Sequence, residues 1–461
     1  MMNKPELFND FPEISSKAWK QKIQFELRGE DYNEKLVWES SEGIKVKPFY
    51  NTEDLKGLNI TGAKKNSGWN IGQGIFSGNA KLANKKALDA IARGAESILF
   101  TIPSEKIKIQ ELLKEVDPGQ TTIYFNLQFL SSSYIISILE ATKNQINKVY
   151  LNVDIIGHLA RNGNWQYNLN QDHKILGDIL NLHHTHTLSV DVALYGNAGA
   201  NPMQQLAYAI AHANEYLNHL NEHHKDALKT TVITFKVSVG SNYFFEIAKL
   251  RALRILFGTL AQEFGALEQC HIIATPTFRN KTLYHYNSNM LRTTTECMSA
   301  ILGEADTVIN TPYDAHYHKD NEFGERMARN QLLILKNESY LDKVDNAADG
   351  SYYIESITHQ LASKALELFK QIETGGGFLA QLKEHIIQKK LKESAAKEQE
   401  NFNKLDKILV GTNKYASKLD KMKDNLEIYP FVKTHARKTL IEPIIEKRLS
   451  EDWEQKRLKT E

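Results

Sequence analysis

The sequence predicts an α/β protein: a (β/α)8 barrel in residues 61–350, preceded by an extended N-terminal arm and followed by a C-terminal helical segment. Eight short β-rich runs alternate with helical patterns, which favours parallel strands joined by crossover helices. Eight such strands can close into a barrel and leave no free sheet edge. An open, doubly wound sheet remains the structural alternative. The predicted strands are residues 69–76, 96–102, 121–127, 148–155, 187–195, 232–239, 270–277 and 307–312. The predicted barrel helices are residues 80–93, 104–116, 134–142, 202–217, 243–264, 289–302 and 323–336.

Residues 1–60 form the predicted arm. An amphipathic stretch at 15–27 predicts a helix, and Gly29 offers its stop because glycine reaches left-handed geometry without a Cβ clash. Residues 36–38 and 44–50 read as extended pieces. Because the arm carries apolar residues without a core of its own, we expect it to wrap a partner.

Residues 351–461 form the predicted helical segment, in which strand signals cease. One helix is predicted at 354–373 and ends at the glycines 375–377. Residues 378–406 predict a long helix rich in lysine and glutamate, whose charges form a solvated face. A last helix is predicted at 433–458.

Composition narrows the class of protein. The 461 residues carry 57 Lys and Arg against 56 Asp and Glu, a net charge of +1 that argues against nucleic-acid binding. Hydrophobic residues at 41% and charged residues at 25% are ordinary for a globular protein. Cys270 and Cys297 make no disulfide framework, and neither a signal core nor a membrane span is present. We therefore expect a cytoplasmic protein.

The chain contains 16 histidines, and three of them lie close together in the sequence. His183, His184 and His186 enter the fifth predicted strand. They fall at the N-terminal end of that strand, opposite the usual active-site face of a barrel. We interpret them as exposed residues of a polar loop.

A second cluster, Asp314, His316 and His318, follows the eighth predicted strand at the catalytic end of the barrel. These residue types can bind a metal, and Asp154 is a possible partner. A metal-dependent enzyme therefore stays open as an alternative. The run does not match a cobalamin-ligating Asp-x-His-x-x-Gly loop, because Lys319 occupies the glycine position.

Several ordered motifs run along nearly the whole chain, at residues 244–252, 289–298, 326–331, 349–355 and 408–415. Together they resemble the cobalamin-dependent acyl-CoA mutases. Further motifs at residues 11–19, 29–32 and 43–50 resemble the small subunits of the methylmalonyl-CoA mutases. Members of the acyl-CoA mutase family bind acyl-CoA in a (β/α)8 barrel and adenosylcobalamin in a separate C-terminal domain, so the resemblance implies the same barrel here.

The first-strand motif departs from the family. Where the family has Arg-Pro-Trp-Thr-x-Arg-Gln, this chain keeps Trp69 and Gln73 but has Ser67 and Gly72 in place of the arginines. The resemblance therefore implies the loss of two guanidinium groups associated with the acyl-CoA site.

The ends of other strands depart as well. Leu194 replaces the histidine that would contact the thioester, and Gly196 replaces a glutamine. In the seventh strand, Ala274 and Pro276 replace two polar anchors. Around the fourth strand, the segment that ends at Arg161 and Asn162 is one residue shorter than the corresponding segment of the family. Arg161 is therefore a weaker candidate for a substrate contact. Leucine cannot donate a hydrogen bond, so polarisation of the thioester is lost.

This chain thus keeps the scaffold residues of the family and lacks its reactive residues. The resemblance therefore implies a non-catalytic small subunit of a heterodimeric methylmalonyl-CoA mutase. We expect no catalytic, cofactor-binding or metal-binding residue in this chain, which would be inactive alone. Adenosylcobalamin is expected on the large catalytic subunit, because residue 461 falls where the family's cobalamin domain would begin. The alternative within the family is a catalytic barrel that works with a separate cobalamin-binding subunit.

Overall fold

The arm precedes the barrel with two helices and a short hairpin. The computed structural model describes residues 14–57, 68–143, 145, 147–433 and 436–461, so the predictions for residues 1–13 and 58–67 lie outside it. The elements of the arm are α1 Ser16–Glu26, α2 Tyr32–Leu36, β1 Trp38–Glu39, β2 Lys45–Val46 and a 3₁₀ turn at Thr52–Leu55. Helix α1, which Ser15 caps by accepting from the Ala18 N–H, buries none of its residues. The hairpin, in contrast, packs against the rest of its own chain, because the ring centroids of Trp38 and Phe245 lie 5.7 Å apart.

Eight parallel strands form the predicted barrel. Their order in the sheet is β6-β5-β4-β3-β10-β9-β8-β7. The end strands meet through a parallel bridge between Val153 and Leu188, which closes the barrel and excludes the open-sheet alternative. The strands are β3 Asn70–Phe76, β4 Ser97–Ile102, β5 Thr122–Leu127, β6 Val149–Tyr150, β7 Ser189–Asp191, β8 Thr234–Val239, β9 His271–Pro276 and β10 Thr307–Ile309.

Alternation along the strands separates two layers of side chains. Outward residues such as Ile98, Phe125 and Phe235 join the main core beneath the helices. Inward residues such as Tyr124 and Ile273 form a separate cluster inside the barrel. The interior of the barrel is thus a distinct packing unit.

Helices connect the strands as predicted, with local differences in length. The crossover after β4 shortens to a single helical turn, whereas the helix after β8 has the predicted bounds. The helices are α3 Ala80–Ala92, α4 Ile109–Leu112, α5 Ser132–Ala141, α6 Ile155–Asn162, α7 Leu169–Leu180, α8 Val192–Asn197, α9 Pro202–His223, α10 Lys225–Leu228, α11 Tyr243–Phe264, α12 Ser288–Leu302 and α13 Glu322–Asn337.

The fifth strand is shorter than predicted. It ends at Asp191, and α8 begins at once because the Asp191 carboxylate accepts a hydrogen bond from the Leu194 N–H at 3.3 Å. The predicted strand through residue 195 is therefore wrong in its second half. The capping aspartate converts the strand end into a helical turn.

The C-terminal segment contains α14 Tyr352–Thr374, α15 Phe378–Lys383, α16 Ile386–Asn403 and α17 Glu451–Leu458. Helix α14 packs against α9 and α11. The long helix predicted at 378–406 is interrupted at His385, whose φ of +61° lies in the left-handed region. Within the described residues, none of the helices is long and apolar enough to cross a membrane.

The helix predicted at 433–458 is wrong for most of its length. Residues 436–450, here called the C-terminal strap, run without helix along the C-terminal end of the barrel. Their backbone N–H groups bond to the barrel loops instead of to each other: Leu440 and Ile441 donate to the Gly163 carbonyl, and Ile444 donates to the Ala160 carbonyl at 2.8 Å. Tertiary hydrogen bonds thus override an apolar spacing that resembles a helix.

Candidate functional site at the mouth of the barrel

A layer of large side chains fills the interior of the barrel. The Tyr124 hydroxyl lies 2.8 Å from His271 Nε2 and 2.6 Å from Thr307 Oγ1, which satisfies it without water. Burial raises the pKa of Tyr124 well above its ordinary value, so the hydroxyl stays protonated. The residues of this interior layer are Leu99, Tyr124, Tyr150, Ile273 and Ile309.

Gly72 faces the same interior layer from β3. A Cβ at this position would lie 2.5 Å from Ile309 Cγ1 and 3.0 Å from Thr307 Cγ2. Real Cβ atoms do not approach so closely, so a larger side chain at this position would have to displace the side chain of Ile309. The space in front of one position at which the family motif has arginine is therefore taken by Ile309.

The two retained residues of that motif do not face the interior. The Trp69 indole precedes β3 and donates to the Leu341 carbonyl at 3.1 Å. The Gln73 side chain points into the helix layer, where Arg329 donates to its oxygen at 3.2 Å. Both residues thus tie the strand to the surrounding helices; Ser67 lies outside the described residues.

The end of β7 carries no polar side chain at the two positions named above. Leu194 is fully buried in the main core. A Cβ on Gly196 would overlap the Ser238 hydroxyl, so a glutamine there would have to displace that side chain. Neither position can form a hydrogen bond through its side chain.

The end of β9 is equally apolar. Ala274 is buried, and Pro276 closes the strand opposite Val239. The following Thr277 hydroxyl donates to Asn197 Oδ1 at 2.8 Å. The polar groups at this strand end are used to hold neighbouring loops together.

Asp154, named above as a possible metal partner, is occupied by protein groups. Its carboxylate lies 3.0 Å from His212 Nε2 and accepts from the Tyr216 hydroxyl at 2.8 Å and the Gly157 N–H at 2.7 Å. The Tyr195 hydroxyl holds the other ring nitrogen of His212 at 2.9 Å. Burial acts to raise the pKa of Asp154, but His212 holds it well below its ordinary value. This buried network anchors α6 and α9 to the barrel.

Arg161 lies at the mouth between carboxylates of the same chain. It forms ion pairs with Glu446 of the C-terminal strap and, at 3.0 Å, with Asp191. Burial acts to lower the pKa of Arg161, whereas the two carboxylates raise it above its ordinary value. Asn197 also donates to Glu446 at 2.9 Å. Arg161 could not reach a substrate without releasing the strap.

Sequence reasoning missed Glu446 and Lys236 at this mouth. Glu446 was placed in a predicted helix, which concealed its contact with the barrel. Lys236 pairs with Asp191 at 3.3 Å, and the two are register partners on neighbouring strands. Opposite charges on inward positions of adjacent predicted strands are the signal that could have found this pair.

The three side chains of the proposed metal site do not converge on one point. His318 Nδ1 lies 3.1 Å from Asp314 Oδ2, and Asn321 donates to the same oxygen at 2.8 Å. The His316 ring instead packs edge-on against the Phe278 ring, with 5.3 Å between the two ring centroids. Across the described residues, no three His, Cys, Asp or Glu side chains are grouped to hold a metal ion.

His316 is equally unsuited to bind a cobalamin. Its Nε2 atom is buried, whereas an axial ligand must present a nitrogen to a large planar ring. Burial, followed by two neighbouring cations, lowers the pKa of His316 well below its ordinary value. The loop does not fit the group that the family resemblance implies.

The prediction that the three histidines before β7 are exposed is wrong for His184 and His186. His183 is exposed, but His184 is buried and bonds to the Val149 carbonyl at 2.7 Å. The His186 ring stacks on Tyr150 at 4.0 Å inside the barrel. Burial lowers the pKa of His186 to about 3, so it is neutral at physiological pH. The side-chain period of a strand places one face of this run inside.

The family model described as methylmalonyl-CoA mutase matches residues 108–459. The chain belongs to the methylmalonyl-CoA mutase family. It is 31% identical to the methylmalonyl-CoA mutase small subunit of Porphyromonas gingivalis, over 99% of this chain and 79% of that protein. It is 28% identical to the large subunit of that organism, over 60% of this chain and 40% of the subunit.

The chain spans only part of other mutases. It is 26% identical to the methylmalonyl-CoA mutase of Escherichia coli K12, over 89% of this chain but 65% of that protein. The family match includes the C-terminal strap, so the strap is a part of the chain that mutase relatives share.

The motifs that resemble the acyl-CoA mutases hold the fold together. Lys281 pairs with Glu296 of the 289–298 motif at 2.7 Å, and Asn280 donates to the other carboxylate oxygen at 2.6 Å. Arg251 of the 244–252 motif pairs with Glu355 at 2.6 Å. All are nearly fully buried. Such pairs are costly to break, which accounts for their place in a mutase scaffold independently of catalysis.

Proposed function

We propose that this chain is the non-catalytic small subunit of a heterodimeric, adenosylcobalamin-dependent methylmalonyl-CoA mutase. The holoenzyme would interconvert methylmalonyl-CoA and succinyl-CoA. The large subunit would hold substrate and adenosylcobalamin, and this chain would stabilise it. The observation that carries the proposal is the filled barrel interior, where Ile309 and Thr307 leave no space beside Gly72.

The ends of the strands support the same reading. A mutase must hold an acyl thioester by hydrogen bonds and shield a radical pair from water. Leu194, Ala274 and Pro276 offer no side-chain hydrogen bond at the mouth. Arg161 is already neutralised by Asp191 and Glu446. These contacts favour a silent barrel over a catalytic barrel paired with a separate cobalamin-binding protein.

The arm supplies a surface for the proposed partner. Phe25 of α1 is 79% exposed, and Ile14 just before the helix is 65% exposed. Helix α1 buries none of its residues against this chain, so its apolar side chains are available to a partner. Relatives from one organism are named as small and large subunits, which supports a pairing of this kind.

The proposal places the complex in the cytoplasm. Cys270 and Cys297 are buried free thiols, and burial raises the pKa of the Cys270 thiol to about 11. Thiols of this kind are inert and compatible with a reducing compartment.

Co-expression with the large subunit tests the proposal. We expect a stable heterodimer that turns over methylmalonyl-CoA when adenosylcobalamin is supplied, whereas this chain alone turns over none. Mutase turnover or cobalamin binding by the isolated chain would refute the silent role. Failure of the two chains to co-purify would refute the pairing.

A further inference from the structure

A cavity of about 710 Å³ lies at the carboxyl end of β8, beside the mouth of the barrel. The end of β8 and the segments that follow β7, β8 and β9 line it, together with one side of α16. The turn of the arm hairpin, residues 38–42, forms a further wall. A volume of this size falls within the range of small-molecule sites.

The Ser238 hydroxyl, near the end of β8, has no hydrogen-bond partner in the described part of the chain. Ser238 is 2% exposed and lines the cavity. Its Oγ would lie 2.3 Å from a Cβ on Gly196, so the oxygen faces the gap that this glycine leaves in the same lining. A hydroxyl can donate and accept, and leaving both capacities unused at a buried position costs free energy.

Glu246, in the first turn of α11, presents a second oxygen to the cavity. It is 5% exposed, and its Oε2 pairs with the Lys249 ammonium at 2.5 Å. Lys249 also donates to Gln205 Oε1 at 2.9 Å and to the Ser238 carbonyl at 2.7 Å, so its three N–H groups are all used. Glu246 Oε1 therefore belongs to a carboxylate whose charge is balanced, but none of the described residues donates to it.

The position of Glu246 Oε1 is marked by Gly240, which also lines the cavity. A Cβ on Gly240 would lie 3.2 Å from this oxygen. Among the described residues, the side-chain atoms that lack both a partner and accessible surface include Glu42 Oε2 but neither Glu246 Oε1 nor Ser238 Oγ, so these two oxygens keep surface open to the cavity. Because Lys249 already balances the carboxylate, Oε1 requires a hydrogen-bond donor and not a cation.

The other charged side chains at the cavity do not select a charged ligand. Arg279 and Lys407 both form ion pairs with Glu398 in the wall. The lining residues that form no ion pair with any described residue are Glu39, Glu42, Lys397 and Asp406. They carry both signs, and all except Glu42 are exposed, where water and salt screen their charge.

The walls add neutral polar groups and one aromatic face. Trp38 lies at the rim with 51% of its surface exposed. An indole offers an apolar face that can pack on the C–H face of a ring, whereas hydroxyl and amide groups exchange hydrogen bonds with ligand hydroxyls. The lining side chains of this polar kind that form no hydrogen bond within the described chain are Ser241, Asn242, Ser394 and Asn401.

We propose that this cavity binds a neutral polyhydroxylated ring, a monosaccharide or a cyclitol. One ligand hydroxyl donates to Glu246 Oε1, and another exchanges a hydrogen bond with Ser238 Oγ. The Trp38 face receives the C–H face of the ring. The site is separate from the proposed role of the chain in the mutase and does not depend on it.

Calorimetric titration of the purified chain with D-glucose, D-ribose and myo-inositol tests the proposal. We expect saturable binding of at least one of them. Ser238→Ala should weaken it roughly two- to tenfold, the loss of one neutral hydrogen bond. Gly240→Ala keeps the ion pair of Glu246 but sets a methyl group against Oε1, and should weaken binding roughly tenfold or more. Gly258→Ala, later in α11 and with its nearest neighbour 3.7 Å away, should leave the affinity unchanged.

D-Glucosamine and D-glucuronate carry a positive and a negative charge on a similar ring, so they separate recognition of hydroxyl groups from recognition of charge. We expect neither to bind more tightly than the best neutral ligand. The proposal is overturned if none of the three neutral compounds binds, or if either Ser238→Ala or Gly240→Ala binds as tightly as the unmodified chain. Tenfold tighter binding of a charged analogue would overturn it as well. None of these outcomes bears on mutase turnover.

Discussion

Ile309 occupies the space in front of Gly72, so that a Cβ on Gly72 would lie 2.5 Å from Ile309 Cγ1. Gly72→Ala should therefore lower the free energy of unfolding by about 1–3 kcal/mol, the usual cost of overpacking a core. Gly74→Ala on the same strand is the matched control, because its nearest neighbour would be 3.8 Å away. Urea unfolding measures both. Equal stabilities of the two variants would show that the interior yields easily and could admit a larger group.

The buried pair of Lys281 and Glu296 should dominate the stability of the region around α12. Lys281→Met leaves the Glu296 carboxylate buried without its cation and should cost about 3–5 kcal/mol. Adding Glu296→Gln should restore part of that loss, since the remaining charge is removed. Lys390→Met breaks only an exposed pair with Glu393 and should leave the free energy of unfolding nearly unchanged. Unfolding curves for the unmodified chain, Lys281→Met, Glu296→Gln and the double variant decide whether the pair is coupled, with Lys390→Met as the control.

His186 should contribute to unfolding in acid. Its pKa falls from 6.5 to about 3 in the folded chain, with burial as the largest cause. The unfolded chain therefore binds this proton more tightly, so the contribution of His186 to stability is complete above pH 6.5 and is lost as pH falls towards 3. His186→Asn should flatten the acid side of the stability profile. His183→Asn, at an exposed position three residues earlier, should leave the profile unchanged.

Glu446 should hold the C-terminal strap on the mouth. Glu446→Ala removes the acceptor of both Arg161 and Asn197, and should speed hydrogen exchange at the strap amides of Leu440 and Ile444. A stability loss of about 1–3 kcal/mol is expected for a lost hydrogen bond to a charged group. Glu442→Ala, which breaks a pair with the exposed Lys392, should leave the exchange of those amides unchanged. Unchanged exchange in Glu446→Ala would mean that backbone bonds alone hold the strap.

The barrel could be predicted because its signals are local. Each of the eight strands carries a short apolar run between turn signals, and all eight are found in the structure. The predicted helix at 433–458 failed because Ile441 and Ile444 contact the barrel loops, a long-range interaction that periodicity cannot register. The Arg161–Glu446 pair was invisible for the same reason, since its members lie far apart in sequence.

The candidate site was predictable mainly by what it lacks. Leu194, Ala274 and Pro276 could be read as non-polar replacements from the family resemblance alone. That Gly72 is closed by Ile309, and not merely short of an arginine, required the register between β3 and β10. The burial of His186 likewise depends on which face of β7 points inward.

The ratio of bound cofactor to protein in the purified heterodimer tests the central claim most directly. The complex with the large subunit would be saturated with adenosylcobalamin and a non-reactive CoA thioester, freed of excess ligand and quantified by absorbance and mass spectrometry. A silent small subunit predicts one cobalamin and one CoA ligand for each pair of chains. Two of either ligand for each pair would contradict the account, because the second would have to lie in the barrel described above.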